Sequence, residues 1–570
     1  MPTPNPSVNA QRLSLASGAS FTAPGAGQAR RAGLTAYGHR WLSTLWGEAT
    51  SDEQVPGTAL AAVGSLARGD AGPLSDYDLV LLHASHSGSS AVSSLAERLW
   101  YPLWDAGVRL DHAVRSPATC REVAHRDLSA AIGLLDLSWV AGDRDLVTLT
   151  RSMLARDWRA TARRRLDLVL VAMNERHARF DTVSQSLEPD LKEAQGGLRD
   201  MAVLRALAQA WLADRPHGDV DTAHAVLLDV RDAVHVVAGR PRDRLVAQDR
   251  AAVAALLGHD GSEALLADVA RAGRTIADAL DQTARRAGQS QRARTLRSGP
   301  RRPTMRSLGH GLYESDGELV LGGNPRRAAD PVTALRAGVL SARIRTPIAA
   351  VTARNLAALP PLPTPWPRVP RDLLVELLAS GPGLVSTWSD LERVGIVDQW
   401  LPEWARVRSA PQSNPLHRHT VDRHLLETVV HAAGLSPGVP RPDLLLIAAL
   451  LHDIGKTPGA RDHCAAGWPI AMAIASRVGF EDGDAETIGL LVREHLTLME
   501  LATGKDPADP GTARLALAVV HGRGDVLDVL AALTQADALA TGPRAWTSGR
   551  ARLLRQLVAT ARSPEIASLR

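Results

Sequence analysis

The chain has few of the residues that would tie it to several common classes of protein. Its 570 residues include two cysteines, Cys120 and Cys464, which lie far apart and outside any Cys-x-x-Cys pair. We therefore expect neither a disulfide framework nor a zinc-thiolate site. No apolar run approaches the ~18 residues that span a membrane. The head, 1–27, is rich in Pro, Ser, Ala and Gly and lacks the basic-then-apolar order of a secretory signal. These features predict a cytoplasmic protein with a disordered head and no membrane partner.

Aromatic residues are scarce and lysine is almost missing. Aromatics make up 4% of the chain and do not interleave with arginines, and the net charge of +4 is modest, so nucleic acid is not an expected partner. The only lysines are Lys192, Lys456 and Lys505, among 65 Lys and Arg residues. An ammonium is a compact point charge and a guanidinium is a planar fork, so the two are not interchangeable at a tight site. Lys192 and Lys456 both lie in stretches that are singled out below on other grounds, which suggests specific roles for these two.

Two short strands near the start of the chain carry the first candidate site. Residues 59–63 are apolar and predict a buried strand, which Gly64 and Ser65 follow; Asp76 and Asp78 lead into a second apolar run. Residues two apart on a strand share a face, and divalent cations relieve the repulsion of two adjacent carboxylates. Glycine and serine at a helix start can hold phosphate oxygens. This arrangement resembles the polymerase-beta-like nucleotidyltransferases, in which two metals assist attack on an α-phosphate.

Sites of that kind usually carry a third carboxylate on a neighbouring strand. Residues 108–115 alternate as a strand does, and Asp111 is the candidate for that position. The alternative interpretation is an exposed strand residue. His112 is interpreted as an ordinary surface or core histidine.

A polar stretch in the helical middle of the chain is the candidate for closing over a triphosphate. Residues 188–200 combine several acids with Lys192, Arg199 and the glycine pair Gly196-Gly197. Lysine and arginine would bind phosphate, and the glycines would allow the backbone to approach closely. An ordinary connection between two helices is the alternative.

An apolar run in the last third of the chain leads into a second candidate site. Residues 444–451 follow Pro442-Asp443 and are followed by His452, Asp453 and, shortly after, Gly455. Proline and aspartate near the start of a run, and glycine just past its end, are helix boundary signals. A run that is apolar all round predicts a buried helix. Burying His beside Asp is costly unless a charge compensates, and a divalent metal is the usual compensation.

Further candidate ligands flank this helix, and the set as a whole suggests a metal-dependent phosphohydrolase of the HD superfamily. A lone histidine is more often a surface or core residue, and His417 and His419, in an Arg-rich context, are interpreted in that way. The flanking candidates are His424, His463, His495 and Asp537.

Four motifs together resemble the family of bifunctional uridylyltransferase/uridylyl-removing enzymes of bacterial nitrogen control, which modify the PII signal protein. They are Gly-Ser-x-x-Arg-Gly with Ser-Asp-x-Asp (64–78), Glu-Pro-x-x-Lys-Glu-x-x-Gly-Gly-Leu-Arg-Asp (188–200), Thr-Val-Asp-x-His (420–424) and Leu-Leu-His-Asp-Ile-Gly-Lys (450–456). The second motif is the most specific of the four. The likeness runs from about residue 28 to the end of the chain.

The resemblance implies a transferase site in the amino-terminal part. This site would transfer a nucleotidyl group from UTP to a tyrosine hydroxyl on PII and release pyrophosphate. Gly64 and Ser65, with Arg68 beside them, would hold the triphosphate, while Asp76 and Asp78 would bind Mg²⁺.

The resemblance also implies a hydrolase site, which would cut the nucleotidyl–tyrosine bond with a water that a divalent metal such as Mg²⁺ or Mn²⁺ activates. His463 and His495 would hold a second metal or the phosphate, and Lys456 would neutralise phosphate charge. The residues that the resemblance carries over as direct metal ligands are His424, His452, Asp453 and Asp537.

The implied fold class is α+β and mostly α. It comprises a disordered head (1–27), a polymerase-beta-like nucleotidyltransferase domain (28–142), a helical uridylyltransferase-associated domain (143–298), a linker and connecting segment (299–412) and an all-α HD phosphohydrolase domain (413–570). The family ends in a pair of ACT domains that bind glutamine. This chain stops before them, so we do not expect it to sense glutamine.

Three other functions stay open. Adenylylation of PII would use the same fold, because nothing in the sequence reads the base. A tRNA nucleotidyltransferase with an HD domain would need a basic, tRNA-sized surface, which the dispersed charge does not favour. A regulatory protein that only binds PII would require lost metal ligands, whereas both candidate sets are intact.

Overall fold

The chain is mostly helical, with two small sheets, which confirms the predicted α+β, mostly α class. It forms two compact units, Met1–Ser298 and Gly299–Arg570. In the part that the structure describes, no helix is long and apolar enough to cross a membrane. His417, which the sequence analysis interprets as an ordinary histidine, lies outside the residues that the structure describes. The computed structural model describes residues 7–18, 20–84, 89–295, 305–322, 330–412, 418–457 and 462–563.

The first unit combines one sheet with packed helices. Its strands are β1 (Thr58–Val63), β2 (Tyr77–His83), β3 (Leu110–Arg115) and β4 (Ser138–Gly142). Its helices are α1 (Val8–Ser17), α2 (Ala26–Ala49), α3 (Gly64–Arg68), α4 (Ser89–Asp105), α5 (Pro117–Arg126), α6 (Leu128–Leu134), α7 (Arg144–Phe180), α8 (Leu198–Gln209), α9 (Asp219–Ala238), α10 (Arg250–Leu257) and α11 (Ser262–Thr295).

The sheet of the first unit has the strand order β3-β2-β1-β4, with β2 and β3 parallel and the other pairs antiparallel. The central strand β1 is apolar on both faces because both are buried: Leu60 packs in the core formed with α2 and α4, and Ala61 packs in the core formed with α7. The register sets Asp78 opposite Val63 and beside Asp111. The sheet therefore brings two of the predicted carboxylates together at the point where β1 ends.

Residues 7–17 differ from the disordered head that the composition predicted for 1–27, because they form helix α1 together with its cap. Arg12 on this helix is only 2% exposed. Its Nη2 donates to the carbonyl oxygens of Ser75 (2.6 Å) and Gly72 (3.1 Å), and the guanidinium lies over the Tyr77 ring. A buried guanidinium needs such acceptors, so these contacts hold helix α1 in place, and α1 in turn supports the loop before Asp76.

Ion pairs tie helix α9 to helix α2, and a hydrogen bond to a backbone carbonyl ties α9 to the loop after α3. The Asp229 carboxylate accepts from Arg30 (2.9 Å) and Arg31 (2.6 Å) of α2. Arg231 of α9 donates to the carbonyl oxygen of Asp70 at 2.7 Å. Such pairs specify one arrangement, because breaking one leaves a buried charge without its partner. They fix the helical part of this unit against the sheet that carries Asp78.

The second unit has a small sheet followed by helices. Its strands β5 (Arg306–Gly309), β6 (Leu312–Ser315) and β7 (Glu318–Leu321) form an antiparallel meander, with an Asp-Gly turn between β6 and β7. Its helices are α12 (Thr333–Ile344), α13 (Ala350–Ala357), α14 (Arg368–Leu378), α15 (Gly383–Arg393), α16 (Ile396–Trp400), α17 (Val421–Leu435), α18 (Pro442–Leu451), α19 (His463–Val478), α20 (Asp482–Arg493), α21 (Thr497–Gly504), α22 (Pro510–Val519), α23 (Gly524–Thr541) and α24 (Ser548–Ala561).

The described parts of 299–412 are not a linker, contrary to the sequence interpretation. Leu319, Trp388 and Trp404 belong to the same apolar core as the helices that follow residue 420. Trp366, inside the proline-dense stretch, is 6% exposed, and its amide donates to the carbonyl oxygen of Arg477 at 2.9 Å. The prolines of 360–370 therefore belong to a chain segment that packs onto a helix of the second unit.

Helix α18 lies at the centre of the second unit. Residues 444–451 are each at most 2% exposed, as expected for a run that is apolar all round. The helix packs against α17, α20 and α23. His452 and Asp453 follow its last turn and are also buried. The packing therefore delivers these two polar side chains into the interior, toward three other helices.

We expect Arg12→Met to destabilise the first unit by about 2–3 kcal/mol, because two charge-assisted hydrogen bonds are lost and the acceptors stay buried. Thermal unfolding of the full chain measures the effect. The matched control is Arg40→Met, since Arg40 is exposed on α2. Equal melting curves for the two variants would contradict the supporting role of helix α1.

Candidate active sites

The first candidate site is a cluster of carboxylates at the sheet of the first unit. Asp78 is paired in register with Asp111 on the parallel neighbouring strand, and Asp76 immediately precedes β2. Burial, followed by the charges of Asp76 and Asp111, raises the pKa of Asp78 to about 6. The three acids therefore lie close enough to repel one another, which is the electrostatic setting that divalent cations relieve.

Gly64 directly follows β1 and lies against the Asp78 carboxylate. Its φ is +64°, and a side chain at this position would collide with Asp78 Oδ2. Both the positive φ and the lack of space for a side chain require glycine at this position. Ser65 follows on the short helix α3, so the predicted Gly-Ser turn lies beside the carboxylates.

Arg68, at the end of α3, is already engaged by acids. Its Nη1 is 2.6 Å from Asp136 Oδ2, and its Nε is 3.1 Å from Asp70 Oδ2. Arg205 reaches the same Asp70 oxygen at 3.3 Å. The Arg68 charge still lowers the pKa of Asp78, although less than burial and the acids raise it. Arg68 thus lies near the carboxylates with its guanidinium held in a fixed position.

Lys192 of the polar stretch faces the carboxylate cluster. Its positive charge acts to lower the pKa of Asp78, and its Nζ is 3.9 Å from Asp243 Oδ2. The amide of Leu191 donates to the carbonyl oxygen of Asp243 at 2.8 Å, which fixes this stretch in place. Burial raises the pKa of Asp243, which also senses the charge of Asp76. The sequence motifs did not single out Asp243, which the structure places beside Lys192.

The glycine pair and Arg199 have structural partners of their own. The amide of Gly196 donates to Asp200 Oδ2 at 2.7 Å, and a side chain at Gly196 would collide with the backbone of Gly273 on α11. Arg199 is 45% exposed in its side chain and pairs with Glu193 at 2.7 Å. Tight packing alone therefore accounts for Gly196, and nucleotide binding by Gly196, Gly197 and Arg199 stays a prediction.

The second candidate site lies after α18 and brings four predicted ligands together. His424 Nε2 is 3.1 Å from His452 Nε2, 3.6 Å from Asp453 Oδ2 and 3.0 Å from Asp537 Oδ1. His452 Nε2 is 3.5 Å from Asp453 Oδ2 and 3.7 Å from Asp537 Oδ1. Ligand atoms about 2.1 Å from one ion are separated by roughly 3.0–3.5 Å, so these spacings suit a single divalent cation.

Backbone carbonyls orient two of the imidazoles. His452 Nδ1 is 2.9 Å from the Ala449 oxygen, and His495 Nδ1 is 2.7 Å from the Val492 oxygen. A carbonyl only accepts, so Nδ1 carries the proton in both rings and Nε2 offers a lone pair. Burial lowers the pKa of His452 to about 4, which keeps it neutral at pH 7. These are the tautomers that metal binding requires.

The two carboxylate oxygens of Asp453 contact different sets of side chains. Lys456 Nζ lies 2.6 Å from its Oδ2 and also donates to Gln412 at 2.6 Å. On the other side, Oδ1 is 3.4 Å from His463 Nε2 and 3.7 Å from His495 Nε2. Burial opposes ionisation, but His452 and Lys456 hold the pKa of Asp453 well below its ordinary value.

Cys464 was not predicted as a site residue, yet it lies beside the downstream histidines. Its Sγ is 3.5 Å from His463 Nε2 and 3.8 Å from His495 Nδ1. Burial raises the pKa of its thiol to about 12. The only sequence signal was its position next to His463. Gln412, the partner of Lys456, carried no sequence signal at all.

Three family models match parts of the chain. The helical residues 164–284 match a family described as GlnD PII-uridylyltransferase. Residues 42–131, which include the carboxylates Asp76, Asp78 and Asp111, match the nucleotidyltransferase domain. Residues 421–541 match the HD domain.

Curated relatives match over most of the chain, and each is named a bifunctional uridylyltransferase/uridylyl-removing enzyme. The protein from Streptomyces coelicolor is 47% identical over 93% of this chain and 65% of its own length. The one from Mycobacterium tuberculosis is 40% identical over 88% of this chain and 63% of its own length. For Corynebacterium glutamicum the identity is 36%, over 89% of this chain and 72% of the relative. The chain thus spans a little under two thirds of the first two relatives.

We expect Asp78→Asn to stabilise the metal-free chain at pH 7.5 and to have little effect near pH 4. The folded-state pKa of about 6 lies above the ordinary 3.8, so ionisation costs stability as pH rises between these values. The lost stability is of the order of 2–3 kcal/mol above pH 6. Melting temperatures in EDTA measure it.

Asp105→Asn, which changes an exposed aspartate of α4, serves as the control and should show no such pH-dependent gain. Added Mg²⁺ should then stabilise the unaltered chain more than the Asp78→Asn variant. A lower melting temperature for Asp78→Asn at pH 7.5 in EDTA would contradict the crowding of charge at this site.

Proposed function

Since this chain belongs to the family of bifunctional uridylyltransferase/uridylyl-removing enzymes, we propose that it attaches a uridylyl group to a protein at the first site and removes it at the second. The proposed donor is UTP and the proposed acceptor is a tyrosine of a PII-type signal protein. The observation that carries the proposal is that one chain holds both a crowded carboxylate cluster and a complete set of inward-facing His and Asp ligands.

In the proposed transfer, the tyrosine oxygen attacks the α-phosphorus of UTP and pyrophosphate leaves. The bond between the α-phosphorus and its bridging oxygen breaks, and the tyrosine proton passes to a carboxylate. Asp111 is our candidate acceptor for that proton, because it is exposed and lies in register with Asp78. Asp76 and Asp78 would hold Mg²⁺, which, when bound, neutralises charge on the attacking and leaving oxygens.

The triphosphate would approach the cluster from the side of Lys192. Lys192 Nζ is 3.9 Å from Asp243 Oδ2, so the ammonium is only loosely paired and can bind phosphate. Ser65 and Gly64 lie beside Asp78 and would contact phosphate oxygens. Arg199 would have to leave Glu193 to do the same, so we assign Lys192 the larger share of the binding energy.

In the proposed removal, water attacks the phosphorus of the uridylyl-tyrosine, the bond to the tyrosine oxygen breaks, and UMP and the free tyrosine hydroxyl are released. His424, His452, Asp453 and Asp537 would hold a divalent ion such as Mg²⁺ or Mn²⁺, which lowers the pKa of water when bound. Lys456 would neutralise the negative charge that develops on the phosphate, from its position against Asp453.

Two double variants test whether the reactions occupy separate sites. Asp76→Ala with Asp78→Ala should abolish transfer and leave hydrolysis of uridylylated PII intact. His452→Ala with Asp453→Ala should do the reverse, because neither pair takes part in the other reaction. Labelled UTP and ATP, each incubated with purified chain and PII, measure transfer and identify the donor. Loss of both activities in either folded double variant, or preference for ATP, would contradict the proposal.

Lys192→Met should lower kcat/KM for transfer about 100-fold, the usual cost of losing a charge-stabilising donor, and leave hydrolysis unchanged. Lys505→Met is the control, since Lys505 is exposed on the second unit. Lys192→Arg should restore transfer only partly, because a guanidinium does not replace an ammonium at a tight site. Transfer at the unaltered rate in Lys192→Met would remove Lys192 from the site.

A further inference from the structure

Strand β3, which carries Asp111, is an open edge of the sheet in the first unit. The strand order is β3-β2-β1-β4, and in the part of the chain that the structure describes no strand pairs with the outer side of β3. The amide of Tyr77 on β2 donates to the carbonyl oxygen of Arg109 at 2.9 Å, so in this parallel pair the peptide groups of Arg109 and Asp111 are directed at β2. Those of His112 and Val114 are directed outward, where a further strand can pair with them.

One face of this edge carries an exposed apolar surface. Tyr101 and Trp104 of α4 are 58% and 47% exposed, and Val114 is 40% exposed. The Trp104 ring centre is 5.5 Å from that of Tyr101 and 5.4 Å from that of His112. His112 and Val114 are two residues apart on β3 and therefore share a face. We call these four side chains the aromatic patch; a contiguous exposed apolar surface of this kind is typical of a binding site for a protein.

The opposite face of the same strand carries the carboxylate cluster. Asp111 and Asp78 are paired in register on neighbouring strands, so their side chains share a face. A protein side chain that receives a nucleotide here must reach these carboxylates, so its backbone must pass close to β3. A strand added at the open edge would lie about 4.8 Å from β3, with side chains on the Asp111 face beside that carboxylate. A tyrosine in such a strand is long enough to bring its hydroxyl to the cluster.

We propose that the acceptor protein binds the open edge of β3 as an added strand, with its tyrosine on the face of Asp111 and Asp78 and its adjacent side chains against the aromatic patch. This inference rests on the proposed transferase function and names the surface that binds the protein substrate. Main-chain hydrogen bonds to the outward peptide groups of β3 supply affinity, and the patch selects alternate side chains of the acceptor. The geometry therefore calls for an extended acceptor segment with apolar residues next to the tyrosine.

Val114→Pro tests the main-chain bonds, because proline removes one outward N–H. That N–H takes no part in the pairing with β2, and proline is tolerated at such edge positions. We expect KM for PII to rise about tenfold, as for a binding partner left without its hydrogen bond, while kcat at saturating PII and KM for UTP stay unchanged. Val114→Thr is the matched control: it keeps both the N–H and the shape of the side chain, and its KM for PII should stay near the unaltered value.

Trp104→Ala tests the aromatic patch. Trp104 lies on α4, so this variant leaves the pairing of β2 with β3 untouched and decides the question even if Val114→Pro fails to fold. We expect KM for PII to rise about tenfold, the usual cost of losing a tryptophan at the centre of an interface, again without a change in kcat. The control is Trp211→Ala, since Trp211 is 75% exposed elsewhere in the same unit and should leave KM unchanged.

Hydrogen exchange of the full chain reports the edge directly. With PII and a UTP analogue that carries an imido bridge between the α- and β-phosphates, which prevents transfer, the segment 108–115 should exchange more slowly than with the analogue alone. Trp104→Ala transferring with the unaltered KM, or protection of β3 that arises from self-association of the chain without PII, would overturn the docking surface and leave transfer standing. Absence of transfer from UTP to PII by the unaltered chain would instead overturn the proposed function.

Discussion

The feature on which both candidate sites depend is negative charge held at high density in a poorly solvated place. At the first site, burial and two neighbouring acids raise the pKa of Asp78. At the second, Asp453 is almost completely buried and both its oxygens face nitrogen atoms of other side chains. Such clusters are stable only with compensating cations. The chain supplies part of the compensation through Lys192 and Lys456, and bound divalent ions would supply the rest.

The scarcity of lysine acquires a physical meaning in this light. Of the three lysines, Lys192 senses the carboxylates of the first site, and Lys456 lies against Asp453 in the second. Arginine fills structural positions instead, as Arg12 and Arg30 do, where a planar fork can satisfy several acceptors at once. Lysines thus occur where phosphate would bind, and arginines occur where backbone carbonyls and buried acids are held in place.

The local sequence pattern was sufficient to predict much of the architecture. The buried helix 444–451 and the strand 59–63 followed from apolar runs with clear boundaries. The local pattern was insufficient for helix α1, because its place in the fold depends on Arg12 reaching acceptors 60 and 63 residues away. The local pattern was also misleading for the predicted linker 299–412, because Trp366 in that segment packs into the core of the second unit.

The sequence by itself was sufficient to identify the family, the fold class and the motifs that contain the candidate acids and histidines. Each motif is a pattern of residues that lie within a short stretch of the chain. Only the tertiary structure decided which of those residues converge, since His424, Asp453 and Asp537 meet through the packing of α17, α18 and α23. It alone revealed Asp243 beside Lys192 and Cys464 beside His463 and His495. Contacts between distant parts of a chain leave no periodic trace in the sequence, and these contacts give each site its charge and its ligands.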